Sequence, residues 1–457
     1  MTLAREMTFA EHRRAGTSWE YLRERVSRSP EAGAVVGFLA VFAFFIITTA
    51  MEIDADGNIV FGSPQILTAR SVSSVVTNAA SQGIIAVGIT LLMIAGEFDL
   101  SVGSMLGLSA LVFIIAADSG LGGLVQMFFP AETVQSLGIS YDGFAGLVAI
   151  AVALAAGALM GMVNGLLLVV TRIPSFIVTL GTLYIYRAVM YNIIPGGTIA
   201  RYLREPMMGQ FHPLAIIAVS IGAVAAVAFF LRPPIKLNWQ HLQENSRNGK
   251  IGPAIRLALI GVVLLAGVGI ALSITTTYLG DLNTIVEVPF FDLLNGRLEF
   301  LPGNYLGSIL WWFLIAAIFT VILNQTRFGN AIFATGGNPG AARAQGINVR
   351  RVKVSTFMIS GMLAAVGGIM EVARFKVVEP LRGTGYELDV IAAAVIGGTL
   401  LSGGYGSIIG AVLGVLLSGM LKTGLVLIGV SATWFRGILG IIMIAAVIIN
   451  TNIRRQR

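Results

Sequence analysis

The sequence predicts an all-α polytopic membrane protein of about 10–12 transmembrane helices, with broken helices and an internal repeat. Three observations carry this. The 457 residues are 56% hydrophobic and only 12% charged, where a soluble chain carries about a quarter. Apolar runs recur at 34–51, 72–95, 101–117, 145–170, 175–194, 214–231, 255–279, 306–324, 354–373, 388–401, 407–428 and 433–450. Several reach the roughly 20 residues a bilayer demands, while 101–117 and 388–401 are short enough for half-helices. Glycine is abundant, at 55 residues, which suits close helix contact and interrupted helices.

Charge between the runs orients the chain. A basic arm, 1–33, carries Arg5, Arg13, Arg14, Arg23, Arg25 and Arg28 and is expected in the cytoplasm. It lacks the layout of a removable signal peptide, so the first run reads as a retained span. A single transmembrane domain follows over 34–450, with a short basic tail, 451–457. Connections 52–71, 118–144 and 280–303 are acidic and expected outside. Connections 232–254 and 325–353 are basic and expected inside, so both termini are cytoplasmic. Segment 195–213 breaks the pattern: it carries Arg201 and Arg204 yet must lie outside. This distribution accounts for the net charge of +7 without a nucleic-acid partner.

Several chemistries are excluded. There is no cysteine, hence no disulfide, thiolate site or cysteine nucleophile. His12, His212 and His241 are scattered and outside the apolar runs. No phosphate-binding Gly-x-x-x-x-Gly-Lys-Ser/Thr loop, His-Glu-x-x-His or Gly-x-Ser-x-Gly occurs. No metal, cofactor or catalytic constellation is expected.

The stretch Gly96-Glu-Phe-Asp-Leu-Ser-Val-Gly-Ser-Met-Leu-Gly107 sets two carboxylates between two apolar runs. It reads either as a helix break beside a transport pathway or as a surface loop with its acids in water. Gly103-Ser104-Met-Leu-Gly107 matches Gly406-Ser407-Ile-Ile-Gly410, and paired breaks in two halves point to a central pathway. Arg187 and Lys422 fall inside apolar runs and Glu371 near a run end: Arg187 is expected to face a cavity or pair with an acid, and Lys422 to snorkel or pair in the bundle. In 325–353, Gly336-Gly-Asn-Pro339 is a turn, Pro339 opens a short helix of small residues, and Gly346 ends it. Such a helix fits a groove on another protein.

Together these stretches resemble the permease subunit of bacterial ATP-binding-cassette (ABC) sugar importers of the ribose/xylose type. The resemblance rests on Glu97-Phe-Asp-Leu-Ser-Val-Gly-Ser104, Ile173-Pro-Ser-Phe-Ile-Val-Thr-Leu-Gly181, Gly336-Gly-Asn-Pro-Gly-Ala-Ala-Arg-Ala-Gln-Gly-Ile347, Tyr386-Glu-Leu-Asp-Val-Ile-Ala-Ala393 and Ile396-Gly-Gly-Thr-Leu-Leu-Ser-Gly-Gly-Tyr-Gly-Ser407. Two departures from the ribose type point to the xylose-type branch: Glu97 before the Asp-Leu-Ser, and the insertion 232–280 with its extra run.

The resemblance implies an inner-membrane subunit, paired with a second permease copy and surrounded by lipid. Cytoplasmic ABC ATPases would hydrolyse ATP and dock on the 336–346 helix, through Asn338, Pro339, Ala341, Ala342, Arg343 and Gly346. An external binding protein would deliver a monosaccharide or similar polyol. Expected along the substrate pathway are Glu97, Asp99, Ser101, Ser104, Phe176 and Ser407. The alternatives are a related permease for a branched-chain amino acid or nucleoside, and an ion-coupled secondary transporter.

Overall fold

A computed structural model describes residues 32–53, 59–118, 141–194, 200–201, 208–211 and 286–455. The helices are α1 (Ala32–Ala50), α2 (Ala69–Ile94), α3 (Val102–Asp118), α4 (Tyr141–Thr171), α5 (Ser175–Ile193), α6 (Phe290–Asn295), α7 (Ser308–Gln325), α8 (Arg327–Gly337), α9 (Pro339–Ala344), α10 (Val349–Phe375), α11 (Tyr386–Ile396), α12 (Ile408–Leu427) and α13 (Phe435–Arg455). Among the described residues α1, α2, α4, α5, α7, α10 and α12 are long and apolar enough to cross a membrane. Helices α3 and α13 hold shorter apolar stretches, Val102–Ala117 and Phe435–Ala446. The chain is thus all-α and polytopic, as its composition requires. The arm up to residue 31, most of the 118–144 connection and the whole 232–280 insertion lie outside the described residues.

Helices α2 and α10 form the centre. Each is apolar around most of its circumference and correspondingly buried. At 26 and 27 residues, each is about 40 Å long, more than the roughly 30 Å hydrocarbon core. Side-chain caps fix their starts: Thr68 accepts from Ser71 N, and Asn348 from Arg351 N. Helix α10 packs on α2, α3 and α4, and α12 packs on α2. Small residues make this contact possible. Gly161 of α4 meets the Phe357 backbone, and Gly157 meets Gly361, so the two helices touch main chain to main chain. Trp312 of α7 fills the space left by Gly83 of α2 and is fully buried.

Short antiparallel strand pairs decorate the bundle ends. Strands β1 (Met51–Ile53) and β2 (Ile59–Phe61) pair before α2. Strand β3 (Ala200–Arg201) pairs with β6 (Val377–Val378), immediately after α10. The awkward basic segment 195–213 is therefore held, at Arg201, at the end of the bundle where α10 terminates, opposite the basic 325–353 connection. Strands β4 (Met208–Phe211) and β5 (Val286–Pro289) also pair antiparallel.

The close α4–α10 contact makes a clear prediction. Gly161→Ala, and more so Gly161→Leu, drives a side chain into the Phe357 carbonyl. Each lowers the unfolding midpoint in detergent, at a cost of about 1–3 kcal/mol. Gly181→Ala on α5, where a Cβ would meet nothing within 4 Å, leaves the midpoint unchanged or raised.

Candidate functional site

The first break begins where α2 ends. Gly96 adopts φ +85°, and its N–H and that of Glu97 bond back to Met93 O and Leu92 O at 2.9 and 3.1 Å. That left-handed turn satisfies two carbonyls at the helix end. The next residues are held by α5: Phe98 N donates to Ser175 Oγ and Leu100 N to Thr179 Oγ1, each at 3.1 Å. The Ile173–Gly181 stretch thus supplies acceptors for a backbone that a break would otherwise leave bare. Asp99 is fully buried. Its Oδ1 accepts from Ser101 N at 2.8 Å and Ser101 Oγ at 2.6 Å. Asn164 Nδ2 donates to that Ser101 oxygen at 2.9 Å, and the Tyr186 hydroxyl lies 3.1 Å from Asn164 Oδ1. A polar chain therefore ties the start of α3 to α4 and α5. Glu97 takes a different partner, an ion pair with Lys353 in the first turn of α10.

The second break repeats the turn. Gly398 has φ +90°, and Gly398 N and Thr399 N bond to Val395 O and Ala394 O at 2.9 and 3.0 Å. Ser407 then caps α12 by accepting from Gly410 N at 3.4 Å. The two breaks touch: Gly404 N donates to Ile94 O at 2.8 Å, so one break satisfies a carbonyl at the other's helix end.

Between them sits the loop segment α8–α9. A Cβ on Gly336 would strike Ile94 O and Gly404 N, so only glycine lets three backbones meet here. Asn338 Oδ1 caps α9 by accepting from Gly340 N and Ala341 N, each at 3.0 Å, with Pro339 in the first turn. Gly346 (φ +80°) ends it, with Gly346 N and Ile347 N bonding to Arg343 O and Ala342 O at 2.9 and 3.0 Å. The result is a short rigid helix whose outward face is Gly340, Ala341, Arg343, Ala344 and Gln345. Ala342 turns inward and is 3% exposed.

Residues 71–447 match the family described as "Branched-chain amino acid transport system / permease component". The chain belongs to this permease family. It is 31% identical over 428 residues to the xylose transport system permease protein XylH of Escherichia coli K12, covering 92% of each chain. It is 28% identical over 392 residues to the ribose import permease protein RbsC of the same strain, covering 85% of this chain and 88% of that one. A probable ABC transporter permease, YphD, is 45% identical over 159 residues, 34% of this chain. The ribose/xylose-type resemblance is thereby established. No solved structure matches.

The permease buries most of its expected site residues in or beside the two breaks, with the Asp99–Ser104 stretch running inward against Thr179 of α5 and Asn164 of α4. Glu97, Asp99, Ser101, Ser104 and Ser407 are all buried, in or beside the two breaks. Phe176 instead stands 54% exposed on α5, beside the Ser175 that holds the first break. Asn338, Pro339, Ala341, Ala342, Arg343 and Gly346 build or cap the adjoining α9. The break is neither a loop with its acids in water nor an open groove, but a packed, hydrogen-bonded turn.

Sequence reading missed Lys353 as the partner of Glu97, 256 residues away. It also missed a second polar knot. Lys422 Nζ lies 3.5 Å from Asp389 Oδ2 and 3.2 Å from Gln82 Oε1, while Gln82 Nε2 donates to Asp389 at 3.3 Å. Glu371 pairs with Arg382 at 3.5 Å. Lys422 thus pairs in the bundle rather than snorkelling, with partners on α11 and α2, while the partner of Glu371 lies in the loop before α11.

Removing the Asp99 acceptor separates geometry from charge. Asp99→Ala strands the Ser101 donors and lowers the detergent unfolding midpoint, by about 1–3 kcal/mol. Asp99→Asn keeps an oxygen at Oδ1 and loses clearly less. Equal losses would show that the negative charge, not the acceptor, holds the break.

Proposed function

We propose that this permease is the membrane-spanning subunit of an ABC importer that moves a monosaccharide or similar polyol delivered by a binding protein. It is a transport subunit, and ATP is hydrolysed on a separate ATPase chain. The observation that carries the mechanism is the three-backbone contact at Gly336: the exposed helix α9 is continuous with a segment seated directly on both helix breaks.

In this mechanism the α8–α9 end faces the cytoplasm, in keeping with the basic 325–353 connection and basic termini. A cytoplasmic ATPase grips the outward face of α9. Its movement on binding ATP passes through Gly336 to Ile94 and Gly404, and through Lys353 to Glu97. The two breaks then tilt α3 and α12 together, opening a path between two permease copies to one side at a time. Asp99, Ser101 and Ser407 hold the moving turns in shape, Ser104 keeps a free hydroxyl beside the path, and Phe176 faces the path or the second copy. The acidic connections 52–71 and 280–303 receive the binding protein. The protein sits in the bacterial inner membrane with both termini cytoplasmic.

A branched-chain amino acid is the second candidate cargo, because the matching family's description names that class. Vesicles carrying the permease, its ATPase and its binding protein separate the two. ATP-dependent uptake of D-xylose or D-ribose supports the sugar reading; uptake of L-leucine alone replaces it. Uptake by the permease alone, driven by a proton or sodium gradient, contradicts the ABC reading altogether.

The docking face is tested at Ala341. Ala341→Trp places a bulky ring on the outward side of α9, reduces ATPase co-purification at least tenfold and leaves the unfolding midpoint unchanged. Ala342→Trp, on the buried side, lowers the midpoint as well. Undiminished co-purification with Ala341→Trp would remove α9 from the ATPase contact.

A further inference from the structure

Helix α11 has only 11 residues, about 16 Å, so from the junction at Gly397 it reaches roughly halfway across a 30 Å core. At its start the chain turns through Leu381–Gly385 and carries charged and polar groups to that depth. Arg187, on the long helix α5, donates to Thr384 Oγ1. Arg436 Nη2 donates to Thr384 O at 3.2 Å, packed where a Cβ on Gly385 (φ +86°) would collide with it. Glu387 Oε1 accepts from Gly385 N at 3.1 Å, and its Oε2 lies against Gly103 in the first turn of α3. Three polar atoms are left over and are themselves buried: Arg187 Nε and Nη2 and Glu387 Oε2 have no hydrogen-bond partner among the described residues, beside the exposed Thr384 and Arg436.

This face is open. Thr384 and Arg436 are exposed, and Arg187 and Glu387 are partly so. The other charges nearby are spoken for, Arg382 by Glu371 and Glu379, and Lys422 by Asp389. Tyr184 and Tyr191 lie three residues before and four after Arg187, on the same side of α5, and are 66% and 39% exposed. Exposed ionisable groups at that depth cannot face acyl chains; they face water or protein.

We propose that Arg187 and Glu387, flanked by Tyr184, Tyr191 and Thr384, form a water-facing solute contact of the translocation path, built to read a neutral polyhydroxylated solute. When the path opens, the buried Arg187 Nε–Nη2 edge comes free as a planar pair of donors and Glu387 Oε2 as an acceptor, and the tyrosine rings offer apolar faces to sugar C–H groups. This rests on the sugar-importer reading for the solute class, and it moves solute contact from Glu97 and Asp99 to Arg187 and Glu387.

The natural absence of cysteine allows a clean test in proteoliposomes holding the complete transporter. Thr384→Cys is expected to react with a water-soluble, charged methanethiosulfonate at least tenfold faster than Leu159→Cys, a 55% exposed apolar position midway along α4. Equal rates would overturn the water-facing assignment. Glu387→Gln and Arg187→Gln are expected to shift the ratio of D-xylose to D-ribose uptake at least threefold, with Glu387→Asp restoring it in part. Unchanged ratios, whether both uptakes fall together or neither falls, would make the pair structural. Fast labelling with a transporter that imports L-leucine but neither pentose keeps the wet face, discards the polyol and sinks the sugar-importer reading. Fast labelling with gradient-driven pentose uptake keeps this site and sinks only the ATPase.

Discussion

The structure turns on a place with no side chain. At Gly336 the loop segment reaches the last carbonyl of α2 and the backbone of the second break with no Cβ between them. Contact between backbones is stiff: side chains can change rotamer, but main-chain atoms already at van der Waals distance can only move together. The hydrogen bond from Gly404 N to Ile94 O closes the same triangle from the other side. A push on the short capped helix α9 therefore reaches both interrupted helix pairs at once. The Glu97–Lys353 ion pair adds a tie from the first break to α10, the most central helix.

The breaks themselves illustrate how a membrane chain affords irregular backbone. At both breaks the turning backbone finds its acceptors within the protein. Left-handed glycines return two N–H groups to each helix end, Ser175 and Thr179 take the next donors, and Asp99 takes those of Ser101. Ser175, Thr179, Asp99 and Ser407 each accept from backbone N–H groups at these turns.

Much of this was legible in the sequence. Composition and run length gave an all-α polytopic chain, and the shortness of 388–401 foretold the 11-residue α11. The cap of α9 was readable because Asn-Pro and a terminal glycine act locally, each through its own φ and hydrogen bonds. The repeat was legible but misaligned. The matched pentapeptides occupy different helical positions, since Ser407 caps α12 while Ser104 already lies inside α3. What truly recurs is the glycine turn, Ile94-Ala-Gly-Glu97 against Ile396-Gly-Gly-Thr399. Long-range pairs stayed hidden: Glu97 with Lys353, Gln82 with Asp389, and Arg187 with Thr384. Periodicity reports which face of a helix is apolar, not which distant helix covers it. For the same reason the inward turn of Ala342 could not be told from the outward turn of Ala341 in a run of small residues.

The central claim is that α9 and both breaks move as one body. Paired spin labels at Gln345→Cys on the exposed end of the loop segment and Leu401→Cys in the second break measure it directly in this cysteine-free chain. Between the nucleotide-free and ATP-trapped transporter, the label-to-label distance should hold within about 2 Å, the scale of ordinary helix shifts. Over the same step the distance from Gln345 to a label at Phe61, in the β2 strand, should change by more. A Gln345–Leu401 distance that changes as much as the Gln345–Phe61 distance would contradict the account.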